Sequence, residues 1–226
     1  MQIMIQACAR KGTADPFKSW CLESLGPQLL ARAPAIERLI VNLAVPTPSA
    51  QPYGSSESLQ GDAFDVVLQV WVSDRAVLEA ALRPLAEEFA ARTRLQHVYQ
   101  LTDTEVLRAP GFADGTPTAG IKLMRGLYLF DDLPDAAAQR IWAHHSNLAV
   151  KVHVGLARYA RHWVDAVLTP HSPAIRGLSD LHFPSEEAMR DRYFDSPRGR
   201  DEIWHDIGHF ISGGTQRFYA AEHVLR

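Results

Sequence analysis

Apolar runs of strand length alternate with amphipathic stretches along this chain, and the same order of runs occurs twice. The first half begins with QIMIQACA (Gln2–Ala9) and the second with IKLMRGLYLF (Ile121–Phe130). Each run is followed by a helical pattern that contains a tryptophan, Trp20 or Trp142, and then by two more strand patterns, a second helix and a closing strand. The order predicted for each half is β-α-β-β-α-β, which is the ferredoxin-like unit.

Two stretches rich in glycine, proline and serine interrupt this pattern. APGFADGTPTAG is predicted to be a linker at residues 109–120, which separates one repeat over residues 1–108 from another over residues 121–226. Residues 46–62 are predicted to form a mobile loop over one end of the first sheet. Because helices cover only one face of each sheet, we expect the two bare faces to pack together in a pseudo-dimeric α+β barrel. Two independent domains are the alternative.

Composition restricts the classes of partner. The 226 residues are 46% hydrophobic, and the formal net charge is -3 without a basic run, so nucleic acid and anionic membrane surfaces are poor partner predictions. Cys8 and Cys21 lie outside any C-x-x-C spacing and are expected to be reduced thiols. The N-terminal stretch does not have the character of a signal peptide, and no apolar run has the length of a membrane span. The sequence therefore predicts a soluble, cytoplasmic protein.

The segment WAHHSNLA, residues 142–149, contains the first candidate for chemistry. A helix is predicted over residues 135–149, and the spacing of its apolar residues places His145 on the buried face, with His144 on the flank nearer solvent. The first repeat has leucine and glutamate at the matching positions, so the imidazoles indicate a function of the second repeat alone. The alternative is a core histidine bonded to a backbone carbonyl.

The second candidate is a carboxylate on another predicted helix, SPRGRDEIWHDIGHFISGG. Ser196–Pro197 has the pattern of a helix start, and Gly213–Gly214 is the predicted stop. Asp206 lies on the apolar face of this helix, where a carboxylate needs a cation, several donors or a raised pKa. A structural ion pair with Arg158 or Arg176 is one interpretation. The other is a proton-transfer pair with a histidine in a cavity.

A metal site is a further alternative. His205 and His209 are four residues apart, so both imidazoles can project from one face of a helix, with His144, His145 or His162 as a third ligand. The H-E-x-x-H signature is absent, however, and no third ligand has a fixed spacing. No metal is therefore predicted, and no nucleotide-binding motif is present in the sequence.

The second half resembles the EthD-domain family, a branch of the dimeric α+β-barrel superfamily. The matching motifs are IWAHHSNLA, RYARHWV and GLSDLHFPSEEAM, followed by Ser196–Pro197 and by Asp206 with Phe210. The first half keeps only the order of elements and resembles a diverged copy. Where the family is expected to have an Asn-His pair, this chain has Arg161–Trp163, so His162 is carried over as a shifted equivalent.

The resemblance implies ferredoxin-like barrels that normally assemble as homodimers, replaced here wholly or partly by tandem fusion. It also implies a cavity in the barrel that holds a hydrophobic, often aromatic, small molecule. Cofactor-free chemistry is usual in such proteins, whereas other branches of the superfamily bind haem.

The sequence thus predicts a small cofactor-independent enzyme that transfers protons on a hydrophobic, aromatic or lactone-like metabolite, by dehydration, isomerisation or cyclisation. His145 is predicted to be the acid–base group with Asp206 as its partner, while Tyr159 and Arg158 polarise a substrate oxygen. The predicted substrate-binding residues are Trp142, His144, His162, Phe183 and Phe210. A non-catalytic ligand-binding or accessory protein and a metal- or haem-dependent oxidase are the alternatives.

Overall fold

The strands of this chain form one antiparallel sheet that closes on itself into a barrel. The computed structural model of the protein describes residues 1–48 and 63–226. In these residues the strands are β1 (Gln2–Ala9), β2 (Ile36–Ala44), β3 (Val66–Val72), β4 (Thr93–Arg108), β5 (Ile121–Leu129), β6 (Arg158–Val167), β7 (Gly177–Phe183), β8 (Ile211–Gly214) and β9 (Phe218–Val224).

Helices cover the outer face of the barrel. Those of the first half are α1 (Ala14–Trp20), which continues through a π-helical turn into α2 (Gly26–Arg32), and α3 (Arg75–Leu82), which continues through a short 3-10 turn into α4 (Ala86–Arg92). Those of the second half are α5 (Asp135–Val152), α6 (Glu186–Asp191) and α7 (Pro197–Ile207). In the part of the chain that the structure describes, no helix is long and apolar enough to cross a membrane.

Both halves of the chain contribute to the barrel. Its strands follow the order β7-β6-β4-β1-β3-β2-β9-β5, and β5 pairs with β7 to complete the ring, while β8 pairs with the end of β5. Each half supplies four strands in the ferredoxin-like order, and the halves meet where β4 pairs with β6 and β2 with β9. This topology confirms the predicted α+β fold.

The division of the chain into repeats at residues 1–108 and 121–226, with a linker at residues 109–120, stays a prediction. The predicted loop over residues 46–62 falls largely on residues 49–62, which lie outside the described residues.

Side chains along the strands alternate between two apolar cores. On β1, Ile3 and Ile5 pack with the helices of the first half, whereas Met4 and Cys8 point into the barrel lumen. All residues of β1 are buried as a result. A continuous apolar run is thus the pattern expected of a strand that is covered on both faces.

Helix α7 begins where the sequence predicts and ends earlier. The Ser196 hydroxyl caps the helix by accepting a hydrogen bond from the Gly199 N–H at 3.0 Å. The helix ends at Ile207, so the predicted stop at Gly213–Gly214 is wrong. Those glycines belong instead to β8, which pairs with β5.

One end of the barrel lumen contains a buried network of charges. Lys122 Nζ donates to Asp180 Oδ2 at 3.0 Å and to Glu222 Oε2 at 2.5 Å, and Arg158 also binds Glu222. Burial raises the pKa of Glu222, but Lys122 and Arg158 outweigh that effect and hold this pKa at about 2. Two buried cations therefore balance two buried carboxylates inside the ring of strands.

Replacing Lys122 with methionine should destabilise the fold strongly. The substitution leaves Asp180 and Glu222 without the cation that they share, and removing one partner of a buried ion pair costs about 3–5 kcal/mol. Urea and thermal unfolding would measure the loss, with Lys151→Met at an exposed position of α5 as the matched control. A loss no larger than that of the control would contradict this description of the lumen.

Candidate active site

A histidine and an aspartate from two different helices meet on the outer face of the barrel. His145 lies on α5 and Asp206 on α7, and His145 Nδ1 is 2.7 Å from Asp206 Oδ2. The imidazole is buried, while the carboxylate is half-buried. Burial lowers the pKa of His145, and the hydrogen bond to Asp206 opposes this effect. At pH 7 the imidazole is therefore neutral, with Nδ1–H donated to the carboxylate and Nε2 as its basic atom.

A largely apolar cavity lies between these helices and the sheet. It encloses about 80 Å³, and about 660 Å³ of empty space lies within its walls when the open mouth is included. Its polar and charged lining residues include Arg125, His145, His153, Tyr159, Ser179 and Arg217. The family resemblance implies a ligand cavity in the barrel itself. This cavity lies instead between the barrel and its covering helices.

A second histidine, His153, lines this cavity and is not among the site residues predicted from the sequence. Helix α5 extends to Val152, beyond the predicted end at Ala149, and His153 follows it directly. His153 Nδ1 donates to the Tyr193 carbonyl oxygen at 2.6 Å, and burial lowers the pKa of His153 to about 4. The spacing of eight residues from His145 is the signal that could have found it, because positions i and i+8 both fall within the broad buried stripe of an amphipathic helix.

Tyr159 faces the same cavity from β6. Its hydroxyl lies 3.3 Å from Ser146 Oγ, and that serine donates to the Trp142 carbonyl oxygen at 2.8 Å. Burial raises the pKa of Tyr159, so its phenol is protonated at pH 7. The structure thus brings together three of the four predicted catalytic side chains, those of His145, Asp206 and Tyr159.

The fourth predicted catalytic side chain, that of Arg158, lies on the other side of the sheet. Adjacent residues of a strand point to opposite faces of the sheet, so Tyr159 faces the cavity while Arg158 points into the lumen. There Arg158 binds Glu222 and, at 2.6 Å, Asp114. His162 lies on the lumen side as well, with its Nε2 3.7 Å from Asp180 Oδ2. Neither Arg158 nor His162 reaches the cavity that contains His145.

The remaining predicted substrate-binding residues lie at different positions relative to the cavity: some are at its wall and others are outside it. Trp142 lines it, and the ring centroid of Phe210 lies 5.5 Å from that of His145. Phe183 is buried behind the cavity, where it stacks on one of the lining tyrosines at 5.3 Å. His144 is exposed on α5 and is not among the lining residues.

The two histidines of the metal alternative lie on the surface. His205 and His209 are exposed, and their Nε2 atoms are 3.4 Å apart. Across residues 1–48 and 63–226, no group of three or more His, Cys, Asp or Glu side chains has the arrangement of a metal site.

Solved structures with this fold belong to proteins of very different sequence. The chain matches an anthrone oxidase-like protein with a TM-score of 0.65 and 10% identity, over 100% of this chain and 91% of the other. It matches a dye-decolorizing peroxidase from Bacteroides thetaiotaomicron with a TM-score of 0.55 and 11% identity, over 97% and 92%. A DyP-type peroxidase from Cellulomonas bogoriensis gives a TM-score of 0.55 and 14% identity, over 97% and 89%.

No protein-family model matches the chain, and no curated protein sequence matches it. At these identities the structural likeness shows the fold alone, which is an α+β barrel with the ferredoxin-like strand order.

Replacing Asp206 with asparagine should lower the pKa of His145 further. The carboxylate supports the protonated imidazole both through its charge and through the hydrogen bond, and both effects are lost in the variant. An NMR titration of the His145 ring would measure the change. Asp201→Asn, at an exposed position of the same helix, is the matched control and should leave this pKa where it is. Equal values in the two variants would show that Asp206 does not act on His145.

Proposed function

We propose that the protein is a small cofactor-independent enzyme that transfers protons on a hydrophobic small molecule bound in the cavity between α5, α7 and the sheet. The observation that carries this proposal is the 2.7 Å contact between His145 and Asp206 beside that cavity. A hydrogen-bonded imidazole and carboxylate at an apolar cavity is an arrangement suited to general acid–base catalysis.

His145 is the proposed base. Its Nδ1–H is donated to Asp206, so the lone pair of Nε2 takes a proton from an acidic C–H bond of the substrate, and the electron pair of that bond remains on the substrate as an enolate. The imidazolium that forms is stabilised by Asp206. Return of the proton to another carbon completes an isomerisation, and its transfer to a leaving hydroxyl completes a dehydration.

Tyr159 is the proposed donor to the substrate oxygen on which the negative charge develops. Its phenol is protonated, and its contact with Ser146 is long at 3.3 Å, so the hydroxyl can turn toward a bound carbonyl. The sequence predicts that Tyr159 and Arg158 together polarise the substrate oxygen, whereas we propose that Tyr159 does so without the arginine.

The proposal also includes a protein family and a class of reaction. The motifs of the second half support membership of the EthD-domain family, and the proposed chemistry is that of a lyase or isomerase. The anthrone oxidase-like protein among the similar structures favours a second candidate, an oxidase, because removal of a proton from carbon can also precede reaction with dioxygen. We propose His145 as the base in either case.

A haem does not fit this cavity. The enclosed volume of about 80 Å³ is far below the roughly 300–1,000 Å³ that drug-sized ligands occupy, and a macrocycle is larger still. A single ring can enter only with part of it in the open mouth, since a benzene-sized ligand takes a cavity of about 150 Å³.

Removing the imidazole should abolish proton transfer and leave the fold intact. In deuterium oxide, the wild-type protein should accelerate the exchange of the benzylic C–H protons of phenylacetone, and His145→Ala should lose about 10²–10⁴-fold of that rate. His144→Ala, which removes the exposed neighbour, is the matched control and should keep the rate.

Both variants should melt within a few degrees of the wild type. A large drop in melting temperature for His145→Ala alone would identify His145 as a packing residue. Exchange by the wild type no faster than by His145→Ala, despite binding of the probe, would favour a carrier or accessory protein.

The pH dependence of this exchange should reflect a neutral imidazole. Because burial lowers the pKa of His145 below its ordinary value of 6.5, the basic form persists on acidification until the pH falls below that value. The exchange rate, corrected for the uncatalysed reaction, should therefore stay level from neutral pH down to about 6.5 and decrease only below it. A decrease centred above neutral pH would contradict the assignment.

A further inference from the structure

The imidazole of His153 lies in the wall of the cavity and has no role in the proposed proton transfer. It follows α5 directly, is buried, and lines the same cavity as His145. The rings of Tyr193 and Phe194 pack against it, with their centroids 4.6 and 5.3 Å from its own. Buried polar atoms generally have a hydrogen-bond partner, and this applies to both ring nitrogens of His153.

One of these nitrogens is bonded to the backbone. His153 Nδ1 lies 2.6 Å from the carbonyl oxygen of Tyr193. Because a carbonyl oxygen can only accept a hydrogen bond, Nδ1 carries the proton, and the neutral ring has its lone pair on Nε2. Burial lowers the pKa of His153 to about 4, so the ring is neutral at pH 7. The contact with the backbone therefore fixes both the tautomer and the orientation of the ring.

The other nitrogen, Nε2, is available to a ligand. Within residues 1–48 and 63–226, the bond from Nδ1 is the only hydrogen bond that the His153 side chain makes. Since Nδ1 is turned toward the backbone of Tyr193, the edge that carries Nε2 is the polar edge that the ring leaves for a molecule in the cavity. A lone pair held in this way is an acceptor for an O–H group.

This acceptor differs chemically from the proposed base. The imidazole of His145 is bonded to the Asp206 carboxylate, which stabilises the cation that forms when a proton is taken up. His153 is bonded instead to a neutral carbonyl group, and its burial disfavours the cation. His153 is therefore suited to accept a hydrogen bond from a ligand without removing the proton.

We infer that His153 Nε2 accepts a hydrogen bond from a hydroxyl group of the bound molecule, and that the substrate class of the site is accordingly a hydrophobic alcohol or phenol. A site with such an acceptor discriminates against ligands that lack the donor, because the acceptor then stays unpaired. The inference deepens the proposed function and rests on it only for the reacting carbon, which lies toward His145. Binding of the hydroxyl group is independent of catalysis.

Calorimetric titration with phenol and with toluene tests the inference. The two probes have nearly the same shape, because the hydroxyl of one replaces the methyl of the other. The wild-type protein should bind phenol about 2–10-fold more tightly, which is the range expected for one net hydrogen bond. His153→Phe keeps a flat ring but has no acceptor, so it should lose or reverse this preference. His144→Phe, at an exposed position of α5, is the matched control and should keep it.

A second measurement does not require that a variant fold. In nitrogen-15 NMR of the wild-type protein, phenol should displace the Nε2 signal of His153 and leave Nδ1 protonated, whereas toluene should displace that signal much less. His145→Ala should keep the preference for phenol, so loss of exchange with this preference intact would count against the proposed catalysis alone. Equal affinity for the two probes, no binding of either probe, an unchanged preference in a folded His153→Phe variant, or an Nε2 signal that phenol does not move would each overturn the inference.

Discussion

The pairing of strands between the two halves of the chain is the constraint on which the rest of the structure depends. Because β4 pairs with β6 and β2 with β9, the sheet has no free edge at either junction, and both of its faces are covered. Helices cover the outside, and the apolar residues of the lumen cover the inside. Closure also places Lys122 between Asp180 and Glu222, where each charge has a partner.

Closure of the barrel also places residues that are adjacent in the sequence in two different environments. Arg158 and Tyr159 are neighbours in the chain, yet one belongs to the lumen network and the other to the cavity under the helices. The lumen charges are mutually paired and buried, which suits a stabilising role. On the outer face, by contrast, a neutral imidazole, a protonated phenol and a pair of guanidinium groups surround a space that a small molecule can enter.

Much of the fold could be predicted from the sequence, because each strand and helix carries its own pattern. The duplicated order of elements required only the spacing of apolar residues and the Gly- and Pro-rich segment between the halves. His145 and Asp206 were also identified from local pattern, since each is a polar residue on an otherwise apolar helical face. Their contact at 2.7 Å follows from the packing of α5 against α7, which the two separate patterns do not contain.

The features that could not be predicted depend on how strands that are far apart in the sequence pair with one another. The inward direction of Arg158 follows from which face of β6 meets the lumen. Because Arg158 and Arg161 fall on opposite faces of this strand, its sequence gives no local indication of that face. Arg125 on β5, Ser179 on β7 and Arg217 just before β9 all line the cavity, and strand pairing brings them together. Gly213–Gly214 has the composition of a helix stop. These glycines form a strand because the end of β5, which β9 does not reach, is available to pair with them.

The proposed proton transfer requires that a buried imidazole present an unprotonated ring nitrogen to the cavity, while its other nitrogen is hydrogen-bonded to a carboxylate from the facing helix. Nitrogen-15 NMR of protein labelled in its histidine rings measures this most directly, because the two ring nitrogens give separate signals for each protonation state and tautomer. At neutral pH, the ring of His145 should show a protonated Nδ1 and a bare Nε2. A doubly protonated ring, or a proton on Nε2 instead of Nδ1, would contradict the account.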